Sequence, residues 1–491
     1  MNDRVLFISP RRSSPISNGE PVQKLRTNFS LPAATVLGPL EAEGFEPFFI
    51  DAAAEGFEQR QMLGEHRLGY GLLDDAILDQ IRDIDPNWIL VTSMFTFEQC
   101  LVDSLVQAIK AKFPHKTVIV GGIHASVKPE WHLEESVPDY IVIGEGEETI
   151  VELLKSLSRG EEDVSHIAGL AYLDGSGNVR KTGMRQRLAT LDHPWALNTV
   201  FRLPNGHARY LEGLTRKSPV YAPLSLPEDT PTFAFYASRG CPFGCPYCPT
   251  LPRDGSGIRH MGANRMFRDF LVARQQHDVG VFYNQADTFG FHAEDRSFLG
   301  MLADYRRNSK DTDFVINNPD AFFAHLFFPA SKEYQMDVGL VDLISAAGVN
   351  IVTLAIETFS PRFNKKIPWQ HIRQEQISEL CSELHRRGIR TDLYMMYGFP
   401  GQTQLEFDRD VQNTQKLLAF ADSISWHFST LLPGTINYDR AVASGRITES
   451  RYRRDFQEGY SFFYPIAEYN LSQVPTSHFQ TVIAEFGSAW V

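Results

Sequence analysis

The sequence is poor in cysteine, in net positive charge and in long apolar runs, and each shortage excludes something. Its 491 residues include only 5 cysteines, an odd number, and three of them stand together. That distribution argues against a disulfide framework and for a reducing cytoplasm. Acidic residues outnumber basic ones, 60 against 47, for a net charge of −13; broad binding to nucleic acid is disfavoured. No apolar run approaches a membrane span, and residues 1–10 lead straight into a strand pattern, so neither a membrane partner nor a signal peptide is expected. Internal repeats and low-complexity tracts are absent as well. What remains, 43% hydrophobic and 22% charged, is the composition of a globular protein, and the length calls for two or three domains with their own cores.

The chain is organised around Arg239-Gly240-Cys241-Pro242-Phe243-Gly244-Cys245-Pro246-Tyr247-Cys248-Pro249. Its glycines and prolines make a tight loop that can turn three sulfurs toward one point. Three thiolates suit an iron–sulfur cluster or part of a zinc site. A structural zinc takes four protein ligands, and no fourth cysteine is near: Cys100 and Cys381 are remote, and His260 is the nearest imidazole downstream. Three buried structural cysteines are the remaining alternative.

Ahead of this loop, short apolar runs at 4–9, 46–51, 87–93, 116–120 and 139–143 read as strands. Helical patterns at 33–43, 74–83, 97–113 and 147–157 intervene. Such alternation predicts a Rossmann-like, doubly wound parallel sheet over residues 1–160. Ligands of such sheets sit outside the strands' carboxyl ends. Here those ends offer Ser9, Thr92, Ser93, Gly121, Gly122, His124, Gly144, Glu145 and Gly146. Paired glycines let a large ligand approach the backbone, although they also simply close turns. A lone His beside glycines is more often a hydrogen-bonded packing residue than a metal ligand.

Residues 161–231 read as an ordered connector with a small hairpin at 170–182. From 232 a second alternation starts, with strands at 233–238, 279–285, 313–317, 349–356, 389–397 and 422–430. Six βα units over 232–438 predict a partial (β/α)6 barrel of the TIM type, whose chemistry belongs at the C-terminal strand ends. The cysteine loop follows the first of these strands. Residues 439–491 read as a helical extension rich in aromatics, either a lid or core packing.

The cysteine loop, with Tyr247 just before its last Cys, resembles the signature of the radical S-adenosylmethionine (SAM) superfamily. The glycine-rich strand ends before it resemble the cobalamin-binding domain of the cobalamin-dependent members. The resemblance implies that Cys241, Cys245 and Cys248 hold a [4Fe-4S] cluster whose open iron takes SAM. It implies further cofactor contacts at Asp287 after the second barrel strand, Glu357 after the fourth, Tyr397-Gly398-Phe399 after the fifth and Pro433 after the sixth. The Asp-x-His-x-x-Gly motif that supplies cobalt with a His elsewhere is missing. The resemblance puts His124 near the nucleotide tail of cobalamin and off the metal. Residues 51–57 and 68–77 resemble the same region of the phosphonate C-methyltransferase of fosfomycin biosynthesis.

The implied activity is methylation of an unactivated carbon of a small metabolite, through a 5′-deoxyadenosyl radical and methylcobalamin. Its alternatives are a rearrangement or cyclisation without methyl transfer and, outside catalysis, a cobalamin-binding sensor. Candidate substrate contacts are Tyr283, Asn317, Tyr394 and His427, polar side chains near the remaining strand ends. An electron donor such as flavodoxin or ferredoxin is the expected protein partner.

Overall fold

Val5, Leu6, Phe7 and Ile8 are all buried, as a strand covered on both faces requires, and they form the centre of β1 (Arg4–Ser9). In the computed structural model, which describes residues 3–17, 20–21, 25, 27, 29–64, 67–202, 230–250, 257–290, 292–364, 372–458 and 467–485, the chain divides into two compact units. One takes Met1–Tyr210 with Thr448–Tyr460, the other Leu211–Ile447 with Ser461–Val491.

In the first unit β1 lies between β2 (Glu46–Asp51) and β3 (Trp88–Thr92), and β4 (Thr117–Gly121) and β5 (Tyr140–Val142) follow, all parallel. Helices Leu31–Ala42, Asp74–Ile84, Gln99–Lys112 and Gly146–Ser158 occupy the intervals where periodicity places them. Helix Asp74–Ile84 turns Ile77, Leu78 and Ile81 into a core shared with Leu6, Ile8, Ile89 and Val91. Ser30 caps Leu31–Ala42 by accepting from Ala33 N, satisfying one of that helix's free amides.

Two features depart from expectation. The hairpin, β6 (Leu170–Leu173) and β7 (Val179–Lys181), is part of the sheet and not of a separate connector: β6 pairs antiparallel with β5. Burial of Leu170 and Ala171 accounts for this. Residues 12–17, which lack alternation, form a strand pairing with Arg67–Tyr70, itself paired with Arg60–Met62. These short strands take their order from their partners, since their own sequence favours none.

Helix Glu449–Glu458 also belongs to the first unit. Arg453 donates to Trp131 O at 2.9 Å and pairs with Glu134, and Lys128 pairs with Glu449. Tyr452 and Phe456 stack at 4.5 Å and are buried, so at these positions the aromatic extension is core. Tyr460, Phe462, Phe463 and Tyr464 lie outside the described residues, as does 203–229 of the connector.

The second unit is a sheet of six parallel strands in sequential order: β8 (Thr232–Phe235), β9 (Val281–Asn284), β10 (Val315–Phe322), β11 (Val349–Glu357), β12 (Arg390–Tyr397) and β13 (Ser423–Phe428). Helices Ala263–Gln276, Ala293–Ser309, Val338–Ala346, Gln374–Arg386 and Gln404–Leu417 alternate with them, the pattern of a partial (β/α)6 barrel. Strand β10 runs to Phe322 and carries a register shift between Asn318 and Phe322. Asn317 therefore lies within the strand, and its expected place at the strand end is corrected.

Gly122 marks where the first sheet closes over its loops. Its φ is +116°, and a Cβ there would stand 2.5 Å from Ser93 O. Gly144, at φ +82°, has nothing within 4 Å of that position. Gly122→Ala is therefore expected to cost about 1–3 kcal/mol and Gly144→Ala about 1 kcal/mol. Thermal unfolding of the full chain checks the order; equal losses would show that the Ser93 contact yields freely.

Candidate active site

The three cysteines form no disulfide and are partly buried. Their loop leaves β8 through a two-residue antiparallel ladder, Ser238 opposite His260 and Arg239 opposite Arg259. Gly240, at φ +96°, begins the turn, and Asn437 N, beyond the last strand, donates to Pro246 O at 2.9 Å. The loop is thus gripped from both ends of the sheet.

Burial pushes the Cys245 thiol up to about 12, with the negative charges of Cys248, Glu357 and Cys241 adding to it and a hydrogen bond from Tyr247 opposing it. A site this hostile to thiolates needs positive charge to hold them, which iron supplies. Among the described residues no three His, Cys, Asp or Glu side chains converge on one ion position. A cluster does not ask for that, because each thiolate binds its own iron. His260 is engaged elsewhere, stacked on His292 at 4.1 Å and 3.5 Å from Asp295.

Glu357 ends β11 with φ +65°, a left-handed conformation costing about 1–2 kcal/mol for a residue with a Cβ. The bend is held from below. Thr358 Oγ1 donates to Asp410 at 2.8 Å and Phe359 N at 2.6 Å. Phe359 is thereby tethered while the left-handed turn falls on Glu357. Asp410, a residue the sequence reading missed, is pushed up to about 7 by burial. Glu357 Oε2 is shielded and has no hydrogen-bond partner among the described residues, and burial pushes this carboxyl up to about 8. A buried acceptor without a partner suits a ligand bearing N–H groups or a cation.

Other expected residues fall into distinct roles. Tyr247 meets Phe399 at 5.7 Å, and Phe399 stacks on Phe363 at 4.8 Å. Gly398 N donates to Gln402 at 2.8 Å. Tyr397 is fully buried against Phe479 at 4.8 Å; its ring is core, and only its backbone lies along the strand end. Pro433 precedes Thr435, which caps helix Ile436–Ala443. Asp287 is turned to the cysteine loop, accepting from Gly240 N at 3.2 Å. Strand register brings Tyr283 beside Asn317, and Tyr394 beside Ser425, two pairs from His427. Tyr394 and His427 rings meet at 4.7 Å, while Asn317 accepts from Asn350. Asp392, also missed, receives Ser425 Oγ at 3.1 Å on the face that carries Tyr394.

In the first unit two strand-end glycines leave space, a Cβ at Gly121 meeting only Val142, at 3.7 Å, and one at Gly144 nothing, whereas Gly122 is packed against Ser93. Thr92 Oγ1 is shielded and unpartnered among the described residues. This open cradle fits a large planar ligand with a polar tail. Ser9 Oγ pairs with Ser30 at 3.0 Å, and Glu145 tethers Leu188 N at 2.8 Å ahead of helix Gly146–Ser158. Ser93 Oγ pairs with His132 Nε2 at 2.9 Å, and His132 Nδ1 reaches Asp103 at 2.6 Å. Gln99 donates to Asp103 and presents its Oε1 to His124 Nε2 at 3.2 Å, while His124 Nδ1 faces Thr96 Oγ1 at 3.2 Å. Both ring nitrogens of His124 are occupied, and burial pushes its pKa well down.

Residues 28–154 match the B12 binding domain and residues 235–413 the Radical SAM superfamily. The chain is a cobalamin-dependent radical SAM enzyme. It is similar to cytidylyl-2-hydroxyethylphosphonate methyltransferase of Streptomyces wedmorensis, 22% identical over 88% of this chain and 82% of that protein. The radical SAM methyltransferase TsrM of Kitasatospora setae superposes with TM-score 0.64 at 17% identity, over 90% of this chain and 76% of that one. The cobalamin-dependent SAM radical enzyme OxsB superposes with TM-score 0.66 at 15% identity, over 99% and 67%. These likenesses agree with the fold of the two sheets, and the two matched domains give cobalamin, SAM and a [4Fe-4S] cluster as the cofactors. Among the described residues no helix is long and apolar enough to cross a membrane.

Two outcomes follow from this geometry. Cob(II)alamin bound to the enzyme should show no nitrogen splitting from a protein ligand in its electron paramagnetic resonance spectrum, and His124→Ala should leave the spectrum unchanged. A three-line splitting lost in that variant would put His124 on cobalt. The second outcome concerns pH. Because the folded enzyme holds Glu357 protonated up to about pH 8 while an unfolded Glu ionises near 4.3, the folded state binds more protons across that window. Stability of the ligand-free chain should fall as pH rises from about 4.5 to 8. Denaturant midpoints of Glu357→Gln should show a flatter decline; an identical one would place the shift elsewhere.

Proposed function

We propose that this enzyme methylates an unactivated carbon of a small metabolite. The reading is carried by one observation: the partial barrel sets Cys241, Cys245 and Cys248 beside the unpartnered Glu357 carboxylate, in a chain that also has the open glycine cradle of a B12 domain. When bound, the cluster, SAM and cobalamin supply a 5′-deoxyadenosyl radical and a methyl donor, a chemistry that needs no acidic proton on the substrate carbon. The methyltransferase relatives support methyl transfer, and the phosphonate relative supports a small-molecule substrate.

The chain's residues would divide the work as follows. Cys241, Cys245 and Cys248 each hold one iron and leave the fourth to SAM. Glu357 accepts from the ammonium of SAM, and that cation brings the carboxyl back toward its ordinary range. Tyr247, Gly398, Phe399 and Pro433 shape the pocket for the adenosyl group. Gly121, Gly144 and Gly146, with Thr92, receive cobalamin, while His124 and Ser93 keep the loop beneath it rigid. Tyr283, Asn317, Tyr394 and His427 orient the substrate. Burial pushes His427 down to about 4, so it serves as a neutral hydrogen-bonding group. The electron needed for SAM cleavage comes from a donor such as flavodoxin or ferredoxin in the cytoplasm.

Product analysis tests the reading. Incubation with SAM and reductant should yield S-adenosylhomocysteine and 5′-deoxyadenosine in about equal amounts with methylated product; a rearrangement would give no S-adenosylhomocysteine. Replacing any one of Cys241, Cys245 or Cys248 by Ala should abolish SAM cleavage while cobalamin binding persists. Cys100→Ala and Cys381→Ala should keep the cluster, since Cys381 is a fully buried small hydrophobe and Cys100 lies in the first unit. Iron, sulfide and activity retained in the triple Cys241/Cys245/Cys248 variant would defeat the assignment.

A further inference from the structure

Asp287 stands where a cofactor-binding carboxylate is expected, yet each of its oxygens contacts the cysteine loop. Oδ2 accepts from Gly240 N at 3.2 Å, and Oδ1 receives Thr250 Oγ1 at 3.2 Å. The same Thr250 oxygen lies 3.3 Å from Cys248 Sγ. As a free thiol Cys248 donates there. Bound to iron it has lost that proton and becomes an acceptor. The threonine hydroxyl has one proton to give, so Asp287 Oδ1 and Cys248 Sγ then compete for it. Thr250 is buried, which keeps bulk water from settling the competition, and a carboxylate oxygen is a far stronger acceptor than sulfur.

We propose that Asp287 is a positioning residue that draws the Thr250 hydroxyl away from Cys248 and thereby holds the cluster at a low reduction potential. A hydrogen bond to a ligating sulfur stabilises the more negative, reduced cluster and raises its potential; withholding that bond lowers it. The carboxylate's own charge acts in the same direction. A low potential is what transfer of an electron to a sulfonium requires. Around Asp287 the turn is fixed: Ser238 Oγ donates to Thr288 O at 2.5 Å, and Ala286 N donates to Asn284 at 3.1 Å. This inference rests on the reading of the three cysteines as cluster ligands.

The test is a redox titration of the full chain after anaerobic reconstitution, followed by electron paramagnetic resonance. In Asp287→Asn the amide oxygen can still accept from Gly240 N, while the amide N–H donates to Thr250 Oγ1 and turns its hydroxyl proton toward Cys248. The midpoint potential should rise with iron and sulfide content unchanged. Thr250→Val alone should leave the potential where it is, because the hydroxyl does not serve the sulfur in the native enzyme. In the double variant the rise caused by Asp287→Asn should shrink by half or more. An equal rise in both backgrounds, or no rise with an intact cluster, overturns the proposal. A fall in Thr250→Val also overturns it, and that variant decides the matter should Asp287→Asn lose its cluster. Failure of the unaltered chain to take up iron and sulfide would defeat the cluster reading itself.

Discussion

Parallel pairing is the constraint on which the rest of this structure depends. Strands that all run one way need a crossover between each pair, and they deliver every carboxyl end to the same edge. In the first sheet that edge collects Ser9, Ser93, Gly121 and Gly144; in the second it collects the cysteine loop, Glu357 and Gly398. Groups more than a hundred residues apart thus meet without any of the intervening helices taking part in the chemistry. The helices pay for this arrangement with their apolar faces, as Ile77, Leu78 and Ile81 illustrate.

At the second edge the structure departs from comfortable geometry in one place. Glu357 is left-handed, its Oε2 shielded and unpartnered. Neither condition persists unless the surroundings over-determine it. Asp410 does so, fixing Thr358 and Phe359 from helix Gln404–Leu417. Strain and desolvation fall together on a single carboxyl group, next to the Cys245 thiol and Tyr247, whose own charged forms burial disfavours. A cation bound here would offset that desolvation, which gives a physical reason for the site to favour a cationic partner.

The first edge follows the opposite rule. There, Thr92 Oγ1 apart, the polar side chains satisfy one another: Ser93, His132, Asp103, Gln99, His124 and Thr96 form one continuous network. Such a network rigidifies the loops and leaves the backbone glycines as the open surface. What this edge offers a large ligand is therefore shape, with the imidazole nitrogens already engaged behind it.

The sequence by itself determined the two alternations of strand and helix, because apolar runs and caps are local signals, and it determined the cysteine loop, because three cysteines at that spacing have few other uses. Strand β1 and helix Asp74–Ile84 were legible almost to the residue. The hairpin's membership in the first sheet, the short strand at 12–17 and the return of helix Glu449–Glu458 to the first unit were not. Each depends on a partner distant in sequence. The same limit applies to roles. Periodicity places Asp287, Tyr397 and His124 at strand ends, but only tertiary contacts decide that Asp287 holds the loop, that the Tyr397 ring is core and that both nitrogens of His124 are taken. Where a side chain points is set by the neighbours that desolvate it and bond to it, and those neighbours are brought together only by the fold.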